Sequence, residues 1–417
     1  MIIDLPSTST SAINRRLVDL RETGGAVALG RVLSLVICTG DEEAEEAIAA
    51  ANDASREHPC RVLVVARGSR RGASRLDGQI RVGGDAGASE VVVARLYGEL
   101  ARHGDAVVVP LLLPDAPVVA WWPGEPPAVP SQDPIGSMAQ RRITDSGAAR
   151  RPLKALQALA AGHSPGDTDL AWSRVTLWRG LLAAALDQAP YDAVDSAVVT
   201  GAEDSPSADL LAAWLGLALG CPVTRVRSAG GTGVVGVRLE RRSGAVELVR
   251  PEGDTALLTA PGQPERKVAL PHRSVRDCLS EELRRLDPDE VYGDVLTEGM
   301  RRLGRARRLT EGAAAERGAA TSRGEAQQRL AGHRASERET ADAVRGADPQ
   351  GAPPAEEPTD DSEVVTQAPV PPAPEGSTDG ARAVEGSGGG AVPDDGGASA
   401  ADVPDVLGVD GGRGGSA

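Results

Sequence analysis

The stretch VLSLVICTGDEEAEEAIAAANDASREHPCRVLVVAR, from Val32 to Arg67, decides the fold class of this chain. Its two apolar runs, VLSLVIC and CRVLVVAR, have the length and the β-branched content of buried strands. The segment between them begins with acidic residues, which stabilise the amino end of a helix through its dipole. The order strand, helix, strand is typical of an α/β protein.

The same alternation extends to both sides of this stretch. Ahead of it, Ile13, Leu17 and Leu20 follow a helical spacing. After it, apolar runs indicate further strands, of which APVVAWW ends at Pro123. The segment DPIGSMAQRRITDS then favours a helix that is entered through Pro134.

A second block with its own alternation follows. A helix over LKALQALAAG and a long helix over residues 163–187 precede a strand, DSAVVTGA, and a helix with Ser205 as its N-cap. Between Pro222 and Pro271, short alternating runs separated by glycine turns indicate antiparallel strands. We therefore predict an α/β fold with two α/β blocks, residues 1–150 and 151–304, the second with an antiparallel β-rich part.

Residues 305–417 form an acidic tail rich in alanine, glycine and proline. They hold 20 acidic and 11 basic residues and no aromatic residue. Such a composition cannot bury enough apolar surface to offset the entropy of ordering, so we predict a disordered tail. Its first part, residues 311–345, contains helix formers and is expected to be transiently helical.

Composition excludes several classes of partner and site. The net charge of −15 argues against nucleic acid as a partner, because phosphate binding needs a basic surface. No apolar stretch approaches the length of a membrane span, and the N-terminus lacks the pattern of a secretory signal. The four cysteines lie far apart without a C-x-x-C pair, which predicts reduced thiols in a cytoplasmic protein. They are Cys38, Cys60, Cys221 and Cys278.

The motifs that could indicate catalysis are weak. Gly231, Gly233 and Gly236 have the spacing of a dinucleotide fingerprint, but a β-rich run follows them where that site needs a helix. The basic loop Arg67–Arg75 could hold a phosphate or could simply be solvated. The histidines share no metal-ligand spacing. We therefore predict no catalytic residue, no metal and no cofactor.

Long strings within the first 303 residues carry a resemblance to a known family. They include MIIDLPSTSTSAINRRLVDLRETGGAVALGRVLSLVI, GGDAGASEVVVARLYG, VVVPLLLPDAPVVAWWPGEPP, DPIGSMAQRRITDS, GDTDLAWSRVTLWRGLLAAALD and AEDSPSADLLAAWL. Together they resemble the OpcA family, the glucose-6-phosphate dehydrogenase assembly protein, of the actinobacterial type. The resemblance implies a non-catalytic protein that binds and allosterically activates glucose-6-phosphate dehydrogenase in the oxidative pentose phosphate pathway.

Two other functions stay open at this stage. One is a sugar-phosphate-binding enzyme of the same pathway, and the other is a pure scaffold without kinetic effect. The resemblance also leaves self-association and any redox role of the cysteines undetermined.

The tryptophan pair suggests where such a partner could dock. Neighbouring residues on a strand point to opposite faces, so one of Trp121 and Trp122 can face outward while the other enters the core. Exposed tryptophan beside stiff proline, here Pro123, is a common interface anchor. Alternatively, both rings pack inside. Arg141 and Arg142 could join the contact or brace a helix together with the nearby Asp145.

Two further places are candidates for binding. Trp172 and Arg179 share a helical stripe that could face a partner or the other block. The loop between a strand and a helix at Thr200, Gly201, Ser205 and Ser207 would present a helix N-terminus to an anion. The acidic residues within that loop weaken this second interpretation, because they repel an anion.

Overall fold

In the computed structural model, the described residues are 1–23, 32–83, 90–228, 232–303, 308–310 and 323–346. The strand–helix–strand stretch over residues 32–67 folds as predicted. β2 (Leu33–Gly40) leads through α2 (Ala44–Ala54) to β3 (Cys60–Arg67), and the two strands pair in parallel. The α/β fold class predicted from the sequence is confirmed.

The first sheet has eight strands in the order β1-β4-β5-β3-β2-β6-β7-β8. The other strands are β1 (Ile2–Leu5), β4 (Arg75–Arg81), β5 (Glu90–Tyr97), β6 (Val118–Trp122), β7 (Arg141–Thr144) and β8 (Asp167–Asp169). From β5 to β8 all neighbours are parallel, whereas β4 and β1 extend one edge in antiparallel pairing.

Each face of the first sheet carries its own apolar core, because successive residues of a strand point to opposite sides. Leu35 and Ile37 of β2 pack on the side of α2, while Val36 and Cys38 pack on the other side. That other side is covered by α1 (Thr10–Thr23) and α3 (Gly104–Val108).

The second sheet has seven strands in the order β14-β13-β12-β11-β9-β10-β15. They are β9 (Val194–Ala202), β10 (Val223–Ser228), β11 (Val234–Arg241), β12 (Val246–Val249), β13 (Thr255–Thr259), β14 (Arg266–Ala269) and β15 (Arg308–Thr310). The strands from β9 through β11 to β14 pair in antiparallel fashion, as expected for the β-rich part, and β10 is parallel to both of its neighbours.

The remaining helices connect and cover the two sheets. They are α4 (Pro152–Ala161), α5 (Leu170–Ser173), α6 (Thr176–Leu186), α7 (Pro206–Ala218), α8 (Val275–Leu283), α9 (Glu290–Asp294), α10 (Met300–Leu303) and α11 (Arg323–Gly346). A π turn, Val295–Gly299, joins α9 to α10. One face of the second sheet packs with α6 and α7 in a single apolar cluster.

The chain crosses between the two sheets more than once. Leu156 and Leu159 of α4 belong to the core of the second sheet, yet β8 then completes the first sheet. Later, Cys278 and Leu279 of α8 return to pack with α2. Both sheets lie within one compact unit, Met1–Asp348, and the domain boundary at residue 150 stays a prediction.

The structure departs from the sequence prediction at two helices, of which the first is wrong and the second is confirmed in part. In the segment DPIGSMAQRRITDS, Asp133 accepts the N–H groups of Ile135 and Gly136 and closes a short turn, after which β7 enters the sheet. In place of one helix over residues 163–187, the chain forms the short strand β8 and then the two helices α5 and α6. In both places, pairing with neighbouring parallel strands overrides local helical preference.

Part of the predicted tail is described. The helix expected within residues 311–345 corresponds to α11, and β15 forms a short edge strand that was not predicted. The predicted disorder of residues 347–417 lies outside the described residues.

Candidate functional site

The paired tryptophans lie on opposite faces of β6, as predicted. Trp121 joins the core on the side of α2, and Trp122 joins the core on the other side. Their exposures are 0% and 2%, so the expectation that one ring faces outward is wrong. The reason is that β6 is an internal strand, between β2 and β7, and both of its faces are covered. Neither tryptophan is available as an interface anchor.

Arg141 and Arg142 are also buried, because β7 is an internal strand as well. Arg141 donates to Glu282 Oε2 at 2.6 Å and to the carbonyl of Asp287 at 2.7 Å. Arg142 pairs with Asp167. The expectation that the two arginines contact a partner is wrong, since buried carboxylates of this chain already hold them.

The helical stripe with Trp172 faces a later part of its own block, residues 151–304, so neither predicted alternative, a partner or the other block, is confirmed. Trp172 is buried, and its Nε1 donates to Asp289 Oδ2 at 2.9 Å. Trp172 therefore cannot anchor a partner. The guanidinium carbon of Arg179 lies 3.6 Å from the centre of the Trp172 ring, a cation–π contact. Arg179 is half-buried, and this burial lowers the pKa of its guanidinium.

A cluster of polar side chains, most of them buried, lies beside the edge of the first sheet where β7, β8, α5 and α8 meet. We call it the junction network, and it consists of Arg141, Asp145, Asp169, Arg174 and Glu282. Arg174 donates to both oxygens of Asp145, at 2.7 and 2.6 Å. This pair replaces the helix brace predicted between Asp145 and the neighbouring arginines. Since Glu282 lies on α8 and Arg141 on β7, the network ties distant parts of the chain together.

Asp169 is the most buried carboxylate of the junction network. It accepts hydrogen bonds from the Thr144 hydroxyl at 2.7 Å, from the Ser146 hydroxyl and N–H, and from the Ala171 N–H at 2.9 Å. Burial, together with the nearby charge of Asp145, raises the pKa of Asp169 to about 6.

A cleft of about 1190 Å³ opens at the carboxyl ends of the parallel strands. Its position is a topological switch point, since the chain continues from β2 to β3 on one side and places β6 on the other. In open α/β sheets, ligands bind at such points. Its walls include Thr39, Gly40, Glu43, Arg67, Pro123, Glu125, Asp145, Arg174, Asp204, Ser205, Ser207, Arg273 and Arg276.

The predicted anion loop borders this cleft. Ser205 caps α7 by accepting the N–H of Ala208 at 3.2 Å, as predicted, and Ser207 donates to the carbonyl of Ala171 at 2.9 Å. Gly201 is needed because an added Cβ would lie 2.6 Å from the carbonyl oxygen of Gly233. Thr200 is buried. Anion binding at this loop stays a prediction.

Cys38, Cys221 and Cys278 are free thiols. Burial raises the pKa of Cys38 and of Cys278 to about 12, and it also raises the pKa of the partly buried Cys221. Among the described residues, no group of three or more His, Cys, Asp or Glu side chains could hold a metal ion. Nor does any helix in that part of the chain combine the length and apolarity needed to cross a bilayer.

Two family models match this chain in tandem. One, described as the glucose-6-phosphate dehydrogenase subunit N-terminal domain, matches residues 51–161, and its C-terminal counterpart matches residues 165–296. Fold and matches together define a protein of the glucose-6-phosphate dehydrogenase subunit class. The chain belongs to the OpcA family of glucose-6-phosphate dehydrogenase assembly proteins.

The other comparisons add little. No curated protein matches the chain. Among solved structures, glucose-6-phosphate 1-dehydrogenase from Mycobacterium avium aligns at 12% identity over 67% of this chain and 93% of that one, with a TM-score of 0.33. This similarity is too low to support an argument about fold or function.

Proposed function

We propose that this chain is a non-catalytic assembly factor that binds glucose-6-phosphate dehydrogenase and activates it allosterically in the cytoplasm. The observation that carries the proposal is the match of the two subunit-domain models, which together span residues 51–161 and 165–296. Family membership supports the association with the dehydrogenase, and activation is the further step proposed here.

The fold suits a protein that acts by docking. The buried Arg141–Glu282 pair and the crossings between the sheets fix the two halves of the chain against each other. A surface presented by such a frame needs little ordering on binding, so more of the contact energy is available to bias the partner.

Activation follows from differential binding. An activator must bind the active form of its partner more tightly than the inactive form, because only that difference shifts the equilibrium. A tenfold shift requires about 1.4 kcal/mol of differential affinity. We therefore expect the chain to lower the apparent substrate constant of the dehydrogenase or to stabilise its oligomer.

Of the residues predicted to contact the partner, Pro123 and Arg179 are only partly buried, so they are the candidates for this contact. Pro123 lies at the cleft, and Arg179 is held against Trp172 in a fixed position. If Arg179 contacts the dehydrogenase, Arg179→Ala should weaken the complex about tenfold. Arg102→Ala is a matched control, since Arg102 is exposed and, within the described residues, pairs with the exposed Glu99.

A three-way assay tests the proposed function. NADP reduction with glucose 6-phosphate is measured for this chain, for the dehydrogenase of the same organism, and for the mixture. We expect no turnover by the chain alone and a lower substrate constant or higher rate in the mixture. Turnover by the chain alone would instead establish the pathway-enzyme alternative, and co-elution with unchanged kinetics would establish the scaffold.

A further inference from the structure

The helix α11 lies across the outer face of the second sheet, the face opposite α6 and α7. Val246 and Leu248 of β12 point into the core shared with those helices. Glu247, between them, therefore points to the outer face, and its Oε2 lies 3.5 Å from Nη2 of Arg329 on α11.

Buried apolar side chains occur both on α11 and on the outer face of the sheet. Ala326 and Leu330, one turn apart and on either side of Arg329, have exposures of 0% and 1%. On the sheet, Val249 shares the outer face with Glu247, and Leu257 is its direct partner on β13. Both are buried although they lie outside the core cluster on the other face. The burial of both sets of side chains, next to the Glu247–Arg329 pair, indicates that α11 covers this apolar strip.

Ion pairs surround the apolar strip. Glu265 accepts from Arg329 at 2.9 Å and lies 2.8 Å from Nε2 of His333, and Lys267 lies 2.5 Å from Glu337. Apart from Glu247 and Glu265, these side chains are more than a fifth exposed, and exposed pairs contribute little to stability. A helix whose described side chains supply two apolar contacts and such pairs can be displaced.

We infer that the outer face is a docking surface for an amphipathic helix, and that α11 occupies it in cis. We call this surface the helix seat, formed by Glu247, Val249, Leu257, Glu265 and Lys267. The helix seat favours a helix with a small and a large apolar side chain four residues apart, as at Ala326 and Leu330. Such a helix also carries basic side chains next to the large one, as at Arg329 and His333. A partner helix with this pattern binds when α11 leaves. This inference is independent of the proposed function.

A labelled synthetic peptide of residues 323–346 tests the helix seat in the full-length chain. In the wild type, the tethered helix competes at an effective concentration of about millimolar, so the peptide binds weakly. In a chain with Leu330→Asp, the tethered helix loses its apolar contact, and we expect the peptide to bind at least about tenfold more tightly. Ala331→Asp places the same charge on the exposed side of the helix and should leave peptide binding at the wild-type level.

Three further measurements serve as controls for this test. Arg329→Ala, a milder change in the tethered helix, should raise peptide affinity about threefold, and a peptide with Leu330→Asp should bind none of the chains. Circular dichroism establishes that each variant is folded. If the folded Leu330→Asp and Arg329→Ala chains bind the peptide no better than the wild type does, the helix seat does not exist in the form inferred.

Discussion

At the scale of single residues, the carboxylate of Asp169 carries the clearest electrostatic signature. Its four hydrogen bonds favour the charged form, yet burial beside Asp145 outweighs them and raises its pKa to about 6. Because the pKa of Asp169 is raised in the folded chain, this carboxylate should make the stability of the chain depend on pH.

Replacing Asp169 by asparagine should remove this dependence. The folded-state pKa of about 6 exceeds the ordinary 3.8, so the stability contributed by this group is present below pH 3.8 and is lost as pH rises through 6. The unfolding free energy of the wild type relative to Asp169→Asn should therefore fall by roughly 1 kcal/mol or more between about pH 4.5 and 7. Urea unfolding measures this difference.

Asp195→Asn provides the control for this measurement, because Asp195 is exposed. Its difference from the wild type should change little over the same pH range. An Asp169→Asn difference that stays constant with pH would contradict the raised pKa.

The buried pair of Arg141 and Glu282 should be costly to break. Glu282→Ala leaves the guanidinium of Arg141 buried with a carbonyl but no carboxylate, so we expect a loss of about 3–5 kcal/mol of unfolding free energy. The double change Arg141→Met with Glu282→Leu should recover most of it, since it buries no charge. Denaturant titration of the three proteins decides, and a loss below about 1 kcal/mol for Glu282→Ala would show that the pair is not buried as described.

The thiols should differ in reactivity because the thiolate is the reactive form. Cys38 and Cys278 are buried with pKa values of about 12, whereas Cys221 is only partly buried. Brief treatment of the native chain with a maleimide, followed by peptide mass analysis, should label Cys221 first. Early labelling of Cys38 or Cys278 would instead reveal an opening of the first sheet.

At the scale of elements, the sequence predicts the helices and strands whose structure follows from the local sequence pattern. β2 and β3 are long apolar runs, and α7 begins where Ser205 and Pro206 supply a cap and a first helical residue. The strand β7 cannot be found in this way. Its residues RRIT contain two arginines that tolerate burial only because Asp167 and Glu282 reach them from later parts of the chain.

The same limit applies to the candidate site. The period of a strand shows that Trp121 and Trp122 face opposite ways, but not that both faces are covered. Coverage of the Trp121 side includes α8, which comes more than 150 residues later. The cleft also depends on the crossings of the chain between the two sheets, and no local sequence pattern predicts these crossings.

The contact of α11 with the second sheet should weaken with salt. Partly exposed pairs such as Arg329–Glu265 are screened when the Debye length falls from about 10 Å at 0.1 M to about 3 Å at 1 M. Amide hydrogen exchange in α11 should therefore be faster at high ionic strength. Exchange in α7, most of which is buried, is the internal control and should be unaffected. If amide exchange in α11 does not change with salt, apolar contacts alone hold this helix on the second sheet.

At the scale of the whole molecule, the chain is built as one frame from two interlocked sheets. In sequence, α4 lies between β7 and β8 of the first sheet, but it packs on the second sheet. Conversely, α8 follows β14 of the second sheet, but it packs with the first. Because such a frame rearranges little on binding, more of the free energy of docking is available to change the conformation of the partner. The account therefore depends on a free-energy coupling between this chain and the active form of glucose-6-phosphate dehydrogenase.

Linkage makes this coupling directly measurable. If the chain tightens substrate binding by a given factor, the substrate must tighten the complex by the same factor. The measurement is the dissociation constant of chain and dehydrogenase, by calorimetry without NADP, in the absence and in the presence of saturating glucose 6-phosphate. If the chain lowers the substrate constant, we expect a tighter complex with the sugar phosphate, by the factor found for the substrate. An affinity that the sugar phosphate leaves unchanged although the chain lowers the substrate constant, or no binding at micromolar concentrations, would contradict the proposed activation.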